Sequence, residues 1–148
     1  VDTAPHNRKQ GMGPRCRLEK TINFTPPSHV VIDIRTTEVA TQKNDPISLG
    51  ITVLNACTPE TESSTHYFWA SARDYQRDDK QLDAFLYKVT VEAFNEDKDM
   101  LEAQQRFIEL DPAAPYVSVN ADGGSVQMRR LMSELVERER SGAAIAAQ

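Results

Sequence analysis

The 148-residue sequence has only three histidines, two cysteines and one tryptophan. No pair of histidines has metal-ligand spacing, so these residues cannot by themselves build a complete zinc or iron site. Cys16 and Cys57 form neither a CxxC nor a Cys/His cluster. Each is read as a buried free thiol in a strand-like segment, with nothing to support a disulfide between them, and a cytoplasmic home fits that usage. No apolar run approaches the roughly 20 residues needed to cross a bilayer, and no signal peptide is visible. There is no cluster of Lys and Arg. The net charge of -5 and the lone "MRR" at 128–130 do not make a nucleic-acid footprint. Neither nucleic acid nor membrane is therefore expected as a partner. The sequence begins at Val1 rather than Met, as a piece of a longer chain would.

The chain is long enough for one domain with a core. Residues 1–14 are polar, carry Gly11, Gly13 and Pro14, and read as an arm or linker. Alternating strands follow. In "CRLEKTINF" Cys16, Leu18, Ile22 and Phe24 share a face; in "HVVIDIRTTEV" Val30, Ile32 and Ile34 do. In "ISLGITVLNAC" the apolar register runs Ile47, Leu49, Ile51, Val53 and then Asn55 and Cys57. "STHYFWASARDY" is a fourth, aromatic strand, with His66, Phe68 and Ala70 on one face and Tyr67 and Trp69 on the other. Short breaks at "TPP", "TQKNDP" and "TPETES" make the four an antiparallel meander.

The periodicity then becomes helical. Asp78 and Asp79 are capping candidates for a helix from about Lys80 to about Leu110, stopped by "DPAAP". A turn at "NADGG" precedes a second amphipathic helix in "SVQMRRLMSELVERER", and residues 141–148 read as a flexible tail. The expected class is α+β: a curved antiparallel sheet gripping a long helix, with a ligand cavity between the two over residues 15–140.

One residue breaks the helical pattern. At about 100° per residue, Leu86, Ala93, Met100, Leu101 and Ile108 fall within roughly 60° of Asp97, and Gln104 lies on the same stripe. A buried carboxylate costs several kcal/mol unless compensated. An ion pair or an exposed patch would explain it; so would a metal or acid/base chemistry. Asn55, in the apolar register of the third strand, is read either as a strand end bonded to its own turn or as a polar group aimed into the cavity. His66 is read as a core or rim histidine.

Three blocks, "TPETESSTHYFWASARDY", "AFNEDKDMLEAQQ" and "DGGSVQMRRLMSEL", resemble the C-terminal end of Rieske non-haem iron oxygenases of the vanillate O-demethylase oxygenase type, over about Phe24 to Glu139. The resemblance implies a helix-grip catalytic domain. It implies that Asp97 of "EDK" completes a 2-His-1-carboxylate Fe(II) site, whose open face takes dioxygen. Asn55 matches a substrate-contacting position that is histidine in the dicamba-type members, so a different substrate is implied. His66, Ala93, Met100, Leu101 and Gln104 become candidates for the pocket lining.

The family's CxH and CxxH ligands for the Rieske [2Fe-2S] cluster, and its two iron-binding histidines, are absent from this sequence. Both cofactors would need residues outside it, and this chain alone would be inactive. The intact protein would take electrons from an NAD(P)H-dependent reductase or a ferredoxin and assemble as a trimer. It would demethylate or hydroxylate an aromatic substrate with O2. A metal-free helix-grip module binding a hydrophobic ligand, or an interaction domain whose Asp97 meets a partner's arginine, would share the fold without the chemistry.

Overall fold

The computed structural model describes residues 1–39, 46–115 and 117–142. All but Pro46 of the expected turn at "TQKNDP" and most of the expected tail lie outside the described residues. Four strands, β1 (Cys16–Thr25), β2 (His29–Glu38), β3 (Ser48–Pro59) and β4 (Thr65–Arg73), form one sheet in the order β1-β2-β3-β4. All three pairings are antiparallel, with Ile22 opposite Ile32, Ile32 opposite Val53, and Val53 opposite Ser71. A short helix, α1 (Pro5–Arg8), precedes the sheet, and α2 (Lys80–Leu110) and α3 (Gly123–Arg140) follow it. A single 3-10 turn, Asn120–Asp122, leads into α3. The class is α+β, a meander followed by a long helix. The chain clusters into two compact units, one from Val1 to Val91 and one from Glu92 onward.

Alternation decides the faces of the first unit. In-register pairs put Phe24, Val30 and Asn55 on one face with Ile22, Ile32 and Val53, because side chains two apart share a side. Leu49, Val53 and Asn55 are buried on that face, while Leu18 and Ile22 remain 43% and 66% exposed. The other face carries Asp33, Arg35 and Thr52, and the Thr52 hydroxyl donates to Asp33 at 2.7 Å.

The core of this unit sits where the N-terminal arm folds back. Met12, Cys16 and Leu49 are buried together, with Ile47 and Tyr75 against them. The arm expected from its polar composition is thus packed: Thr3, Asn7 and Met12 are 3%, 7% and 5% exposed. Backbone bonds hold it, from Thr3 N–H to Pro14 O and from Cys16 N–H to Val1 O. Gly11, at φ +85°, reverses the chain beside Ile47, a conformation that glycine adopts without penalty. The His6 ring lies 5.7 Å from that of Phe85 on α2, and burial lowers its pKa. Cys16 is buried, Cys57 half-buried, and both are free thiols.

Two charge clusters fix the passage from β4 into α2. Beyond the end of β4, the Asp74 carboxylate accepts from Gly50 N–H at 2.8 Å and from Arg35 Nη1 at 2.5 Å. A Cβ on Gly50 would stand 2.5 Å from the Asp74 carboxylate and 2.7 Å from the Arg35 guanidinium, so only glycine lets the pair close over the strand. Burial pushes the Asp74 carboxyl up, but the Gly50 amide and Arg35 outweigh it and the net pKa is lowered. Nearby, the Arg73 side chain, 8% exposed, donates to the carbonyls of Tyr75 and Gln76, to Asp79 O at 3.0 Å and to Asp83 Oδ1 at 2.6 Å. The hydrogen bond from Arg73 lowers the Asp83 pKa. Asp79 caps the helix, its carboxylate accepting from Gln81 N–H and Leu82 N–H at 2.9 and 3.0 Å.

In the second unit α2 continues through Glu92 to Leu110 with surface pairs such as Lys98–Glu102 at 3.0 Å, and α3 carries Arg130–Glu134 at 2.9 Å. Its apolar residues are open: Met100, Leu101, Phe107 and Leu110 are 64–80% exposed.

Both Asp74 and Asp83 have folded-state pKa values below their ordinary ones. The stability they contribute is present above about pH 4, the unfolded carboxylate value, and is lost as pH falls through the lower folded value. Thermal melts from pH 7 to pH 2.5 will show the wild-type chain weakening below about pH 4. Asp74→Asn will weaken less steeply over the same range, since it has one fewer carboxylate to protonate; parallel curves would contradict the assignment. Arg73→Met strands the helix-entry carbonyls and should cost on the order of 2 kcal/mol in chemical denaturation. Arg73→Lys recovers only part, because an ammonium lacks the planar fork.

Candidate functional site

The buried polar centre of the first unit is Asn55, 5% exposed. Its Nδ2 donates to Val30 O at 3.3 Å and its Oδ1 accepts from the Tyr67 hydroxyl at 2.6 Å. Both of the readings left open at this residue therefore need revision in detail. Asn55 is bonded not to its own turn but across to the neighbouring strands, and the group it presents onward is the Tyr67 hydroxyl. Trp69, two residues along β4 and so on the same face, stacks on Tyr87 of α2 with centroids 5.5 Å apart and planes 29° apart.

These aromatics line a concavity of about 850 Å³ between β4 and the first turns of α2. Tyr67, Phe68 and Trp69 come from the strand; Leu86, Tyr87 and Thr90 come from the helix. The helical members lie three and four residues apart, together with Asp83, which is the spacing of one helix face. The polar lining is Arg73, Arg77 and Asp83. Arg73 and Asp83 are bonded to each other, and Lys80 adds a second contact to Asp83 at 3.3 Å.

The expected lining residues are placed elsewhere. His66 stands on the opposite face of β4 from Tyr67, exposed, with Nε2 3.5 Å from Glu60 Oε1 and its ring 6.2 Å from Phe68. Ala93, Met100, Leu101 and Gln104 are all exposed, and none lines this concavity. A smaller hollow of about 280 Å³ in the second unit is lined by Ala103, Arg106, Phe107 and Leu110 instead. Asp97, expected as a buried carboxylate, is exposed, and makes no hydrogen bond or ion pair among the described residues. The helical register is as read: Ala93, Phe94, Met100 and Leu101, three and four residues away, are its neighbours on the helix. The burial is not. Periodicity shows that residues share a face, not that something covers it.

The residues that build the concavity were visible only in part. Alternation set Tyr67 and Trp69 apart from His66, but the i, i+3, i+4 series Asp83, Leu86, Tyr87 had to be joined to them by the strand-to-helix turn. That turn depends on Arg73, whose partners are mostly backbone carbonyls and leave no sequence signature.

The donor set can be weighed for a metal. Among the described residues no group of three or more His, Cys, Asp or Glu side chains is placed to hold an ion. Asp97 offers one carboxylate that makes no hydrogen bond or ion pair among the described residues. A carboxylate so placed has the chemistry of a hard-cation ligand. No helix among the described residues is long and apolar enough to cross a membrane.

Comparison with known proteins gives the context. The chain is 37% identical over 124 residues to the vanillate O-demethylase oxygenase subunit of a Pseudomonas species, a match that takes in 82% of this chain and 38% of that protein. It is 39% identical over 87 residues to the iron-sulfur subunit of the toluene-4-sulfonate monooxygenase system of Comamonas testosteroni, covering 59% of this chain and 25% of that one. It is 34% identical over 86 residues to the oxygenase component of dicamba O-demethylase of Stenotrophomonas maltophilia, 55% of this chain and 25% of that protein. The chain thus spans well under half the length of these relatives. No solved structure matches. The family model for the vanillate O-demethylase oxygenase C-terminal domain matches residues 4–138, and the chain belongs to that family.

Proposed function

We propose that this chain is the carboxylate-bearing part of a Rieske-type oxygenase that demethylates or hydroxylates an aromatic substrate with O2. The observation that carries the reading is Asp97. Within the "EDK" block of a chain of this family, Lys98 is tied to Glu102 at 3.0 Å, whereas the aspartate beside it makes no hydrogen bond or ion pair among the described residues. Asp97 is exposed, so water solvates it in this chain, and its oxygens stay open to a cation brought by the rest of the protein.

In this reading Asp97 supplies one oxygen ligand to Fe(II), and two imidazoles come from outside this chain. Bound there, the iron supplies an open coordination face for dioxygen. The [2Fe-2S] Rieske cluster also lies outside the chain, in a protein that works as a homotrimer in the cytoplasm, and electrons reach it from an NAD(P)H-dependent reductase or a ferredoxin. The chain's own contribution is to bind and orient. Trp69 and Tyr87 give apolar surface to an aromatic ring, each gaining about 25 cal/mol per Å² covered. Asn55 accepts from the Tyr67 hydroxyl at 2.6 Å and so fixes the orientation of the ring in the wall. Without the cluster and the two imidazoles the chain alone has no turnover.

A second reading keeps the pocket and drops the iron: a helix-grip module binding a hydrophobic ligand. The aromatic walls of the concavity favour it, since they need no metal to be useful.

Asp97→Asn in the intact protein separates the two. A neutral amide at a hard-cation site should reduce iron per subunit at least tenfold under metal analysis. The melting temperature should stay within about 2 °C, because the side chain is exposed and makes no bond among the described residues. Iron content equal to wild type would remove the ligand assignment and leave the metal-free module.

A further inference from the structure

Residues 1–3 lie against the outer side of β1. Val1 and Cys16 exchange both backbone bonds, the Val1 nitrogen donating to Cys16 O at 3.1 Å and Cys16 N–H to Val1 O at 3.1 Å. Asp2 bridges Arg15 in the antiparallel sense, and Thr3 N–H donates to Pro14 O at 3.0 Å. The other side of β1 is taken by β2. Both backbone groups of a residue in an antiparallel ladder point the same way, and successive residues alternate. Cys16 points away from β2, so Leu18, Lys20, Ile22 and Phe24 do too, whereas Arg15 O accepts from Val39 N–H on the inner side. Among the described residues no backbone is paired to that outer row beyond Cys16. Side chains along it are also open, with Leu18 43% and Ile22 66% exposed.

We propose that the residues immediately preceding Val1 in the intact protein form a further strand on the open edge of β1, antiparallel and in the register that residues 1–3 set. The family model is that of a C-terminal domain, and the chain matches 38% of the vanillate O-demethylase oxygenase relative, so the intact protein has polypeptide to supply the strand. Partner numbers sum to 17, as Val1 with Cys16 and Asp2 with Arg15 show. The first residue before Val1 therefore stands opposite Arg17, the second opposite Leu18, the third opposite Glu19 and the sixth opposite Ile22. Alternation puts the second, fourth and sixth on the face of Leu18, Ile22 and Val53. Residues 4–13, with Met12 packed on Cys16 and Leu49, become the loop of a hairpin. A segment tethered through so short a loop has a high effective concentration at the edge, which favours it over a strand lent by a second copy. Occupying the edge also removes a row of unpaired donors and acceptors that would otherwise template aggregation. The inference is independent of the iron reading.

The intact protein carries the test. Partners that do not bond to each other in an antiparallel pair have Cα atoms about 4.5 Å apart, within the span of a disulfide, whereas a residue two places out of register stands about 7–8 Å away. Glu19 is such a partner and is exposed. Glu19→Cys combined with a cysteine at the third residue before Val1 should cross-link within one polypeptide on mild oxidation. Thr21→Cys combined with the same cysteine should cross-link at least about tenfold less, as read by peptide mass spectrometry. Hydrogen exchange on the unsubstituted protein needs no variant to fold. The amides of Leu18, Lys20 and Ile22 should exchange as slowly as those of Arg17, Glu19 and Thr21, on the order of 100-fold or more below the rate of unstructured chain. A bare edge would instead alternate, fast at Leu18, Lys20 and Ile22 and slow at the residues between. That alternation, a cross-link that favours Thr21→Cys, failure of both pairs to cross-link in folded protein, or a Glu19→Cys disulfide joining two polypeptides would each overturn the proposal. Iron content in the Asp97→Asn protein is read separately, so failure here leaves the iron assignment standing.

Discussion

A guanidinium withdrawn from water at the end of a sheet is the constraint on which this molecule turns. The Arg73 side chain is 8% exposed, and a charge in that position is tolerable only if its donors are matched. They are matched chiefly by backbone oxygens of the segment that follows, Tyr75, Gln76 and Asp79, and then by the first-turn carboxylate of Asp83. The arginine therefore shapes its own surroundings. The chain must wrap around it, with Gln76 forced to φ +41°, before Asp79 can cap the helix. Once the helix starts there, Tyr87 arrives over Trp69, and the aromatic concavity is a consequence of that arrival rather than of any local preference of its residues.

The Asp74 cluster works beside it by a different economy. Its carboxylate sits over Gly50, where the lack of a side chain leaves room for Arg35 to close on it. The two clusters occupy neighbouring positions in sequence yet point to opposite sides of β4's end, one to the polar face through Arg35 and one toward α2. Together they fix where the strand stops. The sheet itself is held by its ladders, but the relation between its last strand and the first turns of α2 is held by charge.

This division explains what could be read from the sequence. Period-two alternation placed Ile22, Ile32, Val53 and Asn55 on one face, and the pairings put them side by side. Capping residues and "DPAAP" marked α2, observed at Lys80–Leu110. Those signals are local. What was not legible depended on contacts between distant parts. The arm of residues 1–14 looked like linker because Thr3 and Asn7 are polar, and they are buried only because Gly11 turns Met12 onto Cys16 and Leu49. The stripe around Asp97 looked buried because its residues share a face; in this chain Met100 is 72% exposed. Asn55 stood in the right register, but its bond to Tyr67 crosses between strands and follows from pairing, not from spacing.

The same contrast indicates how to look for function in such a domain. Most charges that stabilise it are spent: Arg35 on Asp74, Arg73 on Asp83, Lys98 on Glu102. Their fields are cancelled within a few ångströms, and they have little left to offer a ligand. Arg77 and Asp97 differ: among the described residues neither makes a hydrogen bond or ion pair, and each lies near apolar side chains that water hydrates poorly. An isolated surface charge is common and says little by itself. An unspent charge set against exposed aromatic or aliphatic surface is a different object, because a ligand that covers the surface also strengthens the charge by excluding water from it. The two effects reinforce each other only where both are present, and that coincidence, rather than burial or a shifted pKa, is what makes such a charge the place to look for a ligand.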